Sequence, residues 1–261
     1  MAGFLVESAL FTHGLVSLSN KTLLDSWPEE LDNIVWVDAG KVIVGSMEDY
    51  LSFRDRAAQL CRISCDTLEL SLASGISGAL TASGTMAVCQ RMGLSLAVTC
   101  GMGGIGDIRS EALCPDLPAL RDIPVALLST SPKDMLDIPA TICWLMDAGV
   151  QVLGVGTSRC TGYIFESADV PLSGIWDGKR LPADPSRRLL LQPIPEKLRI
   201  PNRSLLIQGI AAGKQAEEAG LEYHPAANAA FDRLTNGLSS RIQFNSLIAN
   251  ACLAARLTVA P

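Results

Sequence analysis

Short apolar runs alternate with amphipathic stretches along the chain, and that rhythm predicts most of the elements. Residues 4–12 (FLVESALFT) open it with a run that reads as a strand. Residues 33–46 (NIVWVDAGKVIVGS) read as two strands joined at Ala39-Gly40, a hairpin signal. Residues 46–60 carry apolar side chains at helical spacing. Residues 77–93 read as a helix of small residues ending at Gly93, and residues 95–100 (SLAVTC) as a buried strand. Residues 124–130 (PVALLST) are another strand, followed by one or two helices over 132–150 and a strand over 150–156. Residues 173–188 are loop-like, rich in Asp, Gly, Lys and Pro. Later helices cover 203–220 and 228–235, and a last one covers 239–257 with Ser239 as its N-cap. Strands separated by helices point to a mixed, largely parallel sheet flanked by helices, an α/β fold.

Composition narrows the picture. Hydrophobic residues make up 48% of the 261, enough for one large core or two small ones. No stretch divides the chain as a linker would, so one domain spanning residues 1–261 is expected. The net charge of −6 argues against nucleic acid, which needs a basic face, and leaves room for a small anionic ligand in a local pocket. The start of the chain has no basic segment and carries Glu7 within its apolar run, unlike a signal peptide. No apolar run reaches the roughly 18 residues of a membrane span, so no membrane partner is expected. The eight cysteines lack paired CxxC spacing and sit mostly in apolar runs, which suits reduced core residues of a cytoplasmic protein rather than a zinc site. Cys65 and Cys114 are the two whose surroundings suggest more than packing.

The most informative local feature is residues 124–138, PVALLSTSPKDMLDI. Here a strand is expected to end at Thr130, with Ser131 capping a helix, Pro132 at its first position and Lys133 in its first turn. The positive helix end and partial burial both disfavour an ammonium there, and a neutral lysine amine is a nucleophile able to form a Schiff base with a sugar aldehyde. The alternative is a solvated lysine paired with Asp134 or Asp137. Residues 99–107, TCGMGGIGD, place glycines after a strand, where backbone N–H groups can approach an anion or a flat ligand. Their spacing matches a dinucleotide fingerprint only loosely, and a tight turn without ligand is the other reading.

Taken in order, these segments resemble the pseudouridine-5′-phosphate glycosidases over nearly the whole chain. Glu7-Ser8-Ala9 and His13-Gly14-Leu15 match that family's opening segment, and IVWVDAGKVIVG its hairpin. GALTASGTM, residues 78–86, matches its small-residue helix, and TCGMGGIGD its "TGGIGGVHRG" loop. ALCPDL, residues 112–117, matches "DISADL"; STSPKDMLD matches "AGAKSILD"; QPIPE matches "NPIPE". The resemblance implies cleavage or formation of the carbon–carbon bond between ribose 5-phosphate and a pyrimidine-like base. In it Lys133 attacks the anomeric carbon and Glu7 donates a proton. A carbon leaving group has no lone pair, so covalent activation together with protonation is chemically sensible. The partner implied is a sugar phosphate or C-nucleotide, and the assembly a homotrimer.

The implied substrate contacts are Arg62 and Ser64, then Ala82, Gly103, Gly104, Arg109, Cys114, Pro115 and Asp116, with His13 and Gln243. Several depart from the family. Arg62 stands for a lysine and can still hold a phosphate, bidentately. Cys65 stands for an arginine and Cys114 for a serine. Gly106 and Asp107 stand for the loop's histidine and arginine, and Arg109 would supply the charge after a small shift. The family's manganese ligand falls on Ala112, which leaves Asp107 or Glu111 as substitutes and no cofactor firmly implied. Gln243 meets the family's functional asparagine only in a loose alignment. The reacting pair is thus kept while the shell around it has changed, which suits altered chemistry, including a synthetic direction. A different lysine-dependent lyase or aldolase-type enzyme and a non-catalytic binding protein are the competing readings.

Overall fold

The computed structural model describes residues 3–108 and 113–258. The apolar runs become a ten-stranded sheet. Its order is Gly174–Trp176, Gln151–Val155, Arg188–Leu191, Ala126–Ser129, Leu96–Val98, Phe4–Val6, Ile34–Asp38, Gly78–Leu80 and Cys61–Ile63, with Lys41–Gly45 paired to Ile34–Asp38. Ile34–Asp38 runs antiparallel to Lys41–Gly45 and to Gly78–Leu80, and every other pairing is parallel.

Successive strand residues point to opposite faces, and both faces are covered, so the sheet separates two cores. Phe4, Val6, Leu96, Val98, Ala126 and Leu128 join one core, with Phe11, Trp27, Tyr50, Phe231, Phe244 and Leu247. Leu5, Ala97 and Leu127 join the other, with Met86, Leu120, Ile142 and Leu145. The helices Met47–Arg54, Tyr223–Leu234 and Leu238–Thr258 lie on the first face; Cys65–Ala73, Ala82–Met92, Asp116–Asp122 and Ile138–Asp147 lie on the second. The alternation explains why the central strands read as unbroken apolar runs.

The hairpin forms where the sequence places it: Ala39 and Gly40 both take positive φ, 47° and 73°, the turn that matches the twist of paired strands. The helix over 82–92 ends at Gly93 as expected, but residues 78–80 form a separate strand before it.

Other expectations fail for local reasons. The opening strand stops at Val6, and Leu10–Gly14 winds into a π-helical turn that holds His13 outside any loop. Arg54 braces that turn and the chain after it by donating to the carbonyls of Phe11, Leu15 and Leu18. Gly174–Trp176, inside the supposed loop, adds an edge strand to the sheet. Ser239 does not cap the last helix, which starts at Leu238; the Ser239 amide instead donates to Thr235 Oγ1 at 3.0 Å. Among the described residues no helix is long and apolar enough to cross a membrane. The eight cysteines form no disulfide.

Candidate active site

In a sheet of parallel strands the carboxyl ends open a crevice, and ligands bind there. Glu7 follows Phe4–Val6, Thr99 follows Leu96–Val98, and Lys133 lies just past Ala126–Ser129. The three strands are neighbours, so the sheet itself gathers the three side chains. Beyond the sheet, Gly101–Met102 pairs in parallel with Ser131–Pro132, and the Lys133 amide donates to the Met102 carbonyl at 3.1 Å. The glycine segment and the lysine segment are therefore one two-stranded unit.

This corrects the local structure expected around Lys133. Ser131 and Pro132 are extended, and the helix begins only at Ile138, capped by Asp137, which accepts from the Ala140 amide at 2.9 Å. Pro139 is the reason. A helix running from residue 132 through 139 would set its ring against the carbonyl four residues earlier and lose a hydrogen bond. Lys133 therefore does not stand in the first turn of a helix. Its ammonium is disfavoured first by burial and then by Arg62; Glu7 and Asp116 oppose that, yet the pKa is lowered. Lys133 sits deep among protein atoms and keeps part of its surface open to the cavity it lines. The alternative of a lysine paired with Asp134 or Asp137 fails as well. Asp137 is the helix cap, and the Asp134 carboxylate accepts from the amides of Tyr163, Ile164 and Phe165 at 2.7, 2.8 and 2.9 Å.

Glu7 is 6% exposed, and burial raises its pKa to about 7 despite a hydrogen bond from Thr99 Oγ1 and the attraction of Lys133. Burial thus favours a carboxylic acid beside a neutral amine, while their mutual attraction favours the charged forms; burial dominates in both. A lysine whose ammonium is disfavoured, next to an acid with a pKa near neutrality, suits covalent catalysis with proton transfer.

Both side chains line a cavity of about 310 Å³. Of the residues expected from sequence, Arg62, Ser64, Ala82, Gly103, Cys114, Pro115 and Asp116 line it too. His13 lines a smaller annex of about 40 Å³ that shares Glu7, Arg62, Gly101 and Lys133. Gly104 and Gln243 do not face either space. A Cβ on Gly104 would meet Thr141 Oγ1 at 2.5 Å, so that glycine serves helix packing. Gln243 is buried behind the site, where its Oε1 accepts from the Tyr163 hydroxyl at 3.4 Å. Arg109, Glu111 and Ala112 lie outside the described residues.

Asp116 joins two walls of the cavity: one oxygen accepts from the Ser83 amide at 2.9 Å, the other from the Gly103 amide at 2.8 Å. Gly103 is required there, since a Cβ would lie 2.1 Å from Cys114 Sγ. Cys65 stands behind this wall, its thiol 3.9 Å from the Pro115 carbonyl and pushed up to about 11 by burial. Thiolate chemistry is thereby disfavoured at Cys65.

The donor set does not fit the manganese ion that the family resemblance implies. Both Asp116 oxygens are taken by amides, Asp107 pairs with Lys214 at 3.1 Å, and among the described residues no three His, Cys, Asp or Glu side chains converge.

Sequence reasoning missed Glu222, Tyr223, His224 and Pro225, which line the cavity from the start of the helix Tyr223–Leu234. This helix packs against Arg203–Glu218. Gly209 and Gly213 allow the approach, with Cβ positions that would fall 2.0 Å from the Phe231 ring and 2.6 Å from the Tyr223 ring. One available signal was the chain's two histidines: His13 and His224 line the same annex.

A mostly parallel α/β sheet thus carries a buried acid–amine pair in a cavity at its strands' carboxyl ends, where such folds bind small molecules. The comparisons place the chain further. It belongs to the family described as indigoidine synthase A like protein, whose model matches residues 6–260. The pseudouridine-5′-phosphate glycosidase of Methylobacterium nodulans is 28% identical over 276 residues, covering 98% of this chain and 82% of that protein. That of Gemmatimonas aurantiaca is 30% identical over 212 residues, covering 76% and 69%. The structure of the prealnumycin C-glycosynthase AlnA in complex with ribulose 5-phosphate superposes with a TM-score of 0.73 at 25% identity, covering 97% of this chain and 89% of that one. An indigoidine synthase A-like protein from Thermotoga maritima, with a TM-score of 0.79 at 20% identity and coverage of 98% and 92%, shows the same fold. The resemblance read from the sequence motifs therefore holds over the full chain.

Proposed function

We propose that this protein makes or breaks the carbon–carbon bond between a ribose 5-phosphate-type sugar and a pyrimidine-like or other carbon nucleophile, through an imine on Lys133. The observation that carries it is the pairing, in one cavity, of a lysine whose ammonium is disfavoured with a glutamic acid raised to about 7. Relatives named pseudouridine-5′-phosphate glycosidase and a C-glycosynthase bound to ribulose 5-phosphate support the sugar phosphate.

In the cleavage direction the Lys133 lone pair forms the bond to the anomeric carbon as the bond to the ring oxygen breaks, and that oxygen takes the Glu7 proton. The alkylated ammonium returns a proton to Glu7. The nitrogen lone pair then expels the base carbon, which takes the proton from Glu7 and leaves a protonated imine. Water adds to the imine, Glu7 recovers its proton, and the aldehyde departs from the free amine. Synthesis runs the same steps backwards. No step needs a metal or a redox partner.

The decisive experiment is incubation with ribose 5-phosphate and borohydride, followed by intact-protein mass measurement. A reduced adduct that disappears in Lys133→Ala supports the reading; an unmodified wild-type protein overturns it. The whole chain serves as one catalytic unit in this reading. The family resemblance supports a homotrimer, checked by sedimentation, and eight cysteines without a disulfide are consistent with the cytoplasm.

A further inference from the structure

Two neighbouring strands lose their regular pairing just before the site. Leu96–Val98 and Ala126–Ser129 pair in parallel, and the Thr99 amide continues the ladder by donating to the Leu128 carbonyl at 2.9 Å. The next bond of such a ladder would run from the Thr130 amide to the Thr99 carbonyl. Instead the Thr130 amide reaches one residue further and donates to the Cys100 carbonyl at 2.7 Å. Thr99 is fully buried, so its carbonyl needs a donor from elsewhere. Asn250, also fully buried, supplies one from the helix Leu238–Thr258. Its Nδ2 donates to the Thr99 carbonyl at 2.8 Å and to Thr130 Oγ1 at 3.1 Å. A carbonyl only accepts, so the nitrogen must be the end of the side chain that meets Thr99. Thr130 Oγ1 also bonds to Ser246 Oγ, and the Cys100 thiol donates to the Gln243 carbonyl at 3.0 Å. Gln243, Ser246 and Asn250 follow at helical spacing, so one face of a single helix spans both strand ends.

We infer that Asn250 is a positioning residue for the reaction: with two donors on one nitrogen it fixes the irregular ends of both strands, and with them the hydroxyl that serves Glu7 and the segment that carries Lys133. The inference rests on the acid–amine reading above. Asn250 lines neither the cavity nor its annex, so it acts through Thr99 and Thr130. Thr99 gives its carbonyl to Asn250 and its hydroxyl to Glu7, so a shift of this one residue disturbs both bonds. Thr130 stands three residues before Lys133, joined to it by the extended Ser131–Pro132. Irregular pairing next to a site lets the chain aim a side chain that a regular ladder would not, and the donor that the ladder no longer provides has to come from outside the sheet. A leucine at 250 would fill the same space and donate to neither strand.

The test compares Asn250→Leu with the wild type and with Leu23→Ala, a core variant in the helix Asn20–Ser26 that lowers stability without touching either strand end. The deciding measurement is competitive labelling of Lys133 by acetic anhydride across pH, read by peptide mass, which reports on the amine whether or not ribose 5-phosphate is a substrate. Burial is the largest cause of the lowered Lys133 pKa, so a loosened segment that admits water is expected to move the Asn250→Leu labelling curve to higher pH. In Leu23→Ala the curve is expected to stay in place. The rate of the borohydride-trapped adduct is expected to fall by about tenfold or more in Asn250→Leu. A folded Asn250→Leu with an unmoved curve overturns the inference, as does a Leu23→Ala curve that moves as far. Thr130→Val, which removes one of the two acceptors, is expected to move the curve in the same direction and decides the matter if Asn250→Leu does not fold. A wild-type protein that forms no adduct would sink the imine, and the labelling curves would still judge Asn250.

Discussion

The Thr99 hydroxyl donates to Glu7 Oε1 at 2.6 Å, deep in the protein at the carboxyl ends of two paired strands. That bond opposes the effect of burial on Glu7 and keeps its pKa near neutrality instead of higher. Glu7 and Lys133 also act on each other electrostatically, so the same hydroxyl bears on the protonation of both the proposed acid and the proposed nucleophile.

Thr99→Val keeps the shape of the side chain and removes the donor. Glu7 is then expected to hold its proton to higher pH. An acid donor limits the rate once it is deprotonated, so the alkaline fall in kcat/KM, expected near pH 7 in the wild type, should move upward. A pH–rate profile of the two proteins checks this; an unmoved alkaline limb would mean that another group governs it.

Stability should carry the mark of Glu7 as well. The folded protein binds this proton more tightly than the unfolded chain, so between the ordinary glutamate value of 4.5 and about 7 the native state holds more protons. Stability therefore falls as pH rises through that window, and is flat in this respect on either side. The shift corresponds to about 3 kcal/mol. Urea titrations at pH 5 and pH 8 are expected to show the loss in the wild type and not in Glu7→Gln.

Asp134 holds the segment that carries Tyr163 by accepting three consecutive amides, with Ser167 as a fourth donor. Asp134→Ala leaves those amides buried and unpaired. A loss of about 3 kcal/mol in unfolding free energy is expected by urea denaturation.

Gly101→Ala tests how closely the lysine is confined. The new Cβ would lie 2.7 Å from the Tyr163 ring and 3.1 Å from Lys133 Cγ, so one of the two must move. A drop in kcat of about tenfold or more is expected, with a stability cost of about 1–3 kcal/mol. Steady-state kinetics beside thermal melting separates the two effects.

What could be read from the sequence depended on how local the cause was. The hairpin over residues 33–46 shows because alternation and turn residues act within a few positions. Gly174–Trp176 does not, since a three-residue edge strand set among Asp, Gly, Lys and Pro gains its identity only from pairing with Gln151–Val155. Lys133 stood out as a chemical group, yet its backbone was misread because Pro139, six residues on, forbids the helix. Glu7 emerged through motif resemblance, since nothing adjacent to it foretells the burial that raises its pKa. His224 falls between the helices the sequence predicts over 203–220 and 228–235, where no pattern marks it. Its place at the annex follows from a helical pair folding over the sheet, a relation no window of sequence contains.

The acid and the amine extend from the centre of a sheet, where a slip of one residue in Leu96–Val98 would throw every side chain of that strand to the wrong face. The roof above them belongs to a glycine-zipped helical pair that shares none of those ladder bonds. Substitutions at Glu222, Tyr223 or His224 can therefore retune which molecules are admitted without disturbing the spacing of the two reacting groups. Such a division of labour lets a lineage explore new substrates at the periphery while its inherited bond chemistry stays fixed in the middle.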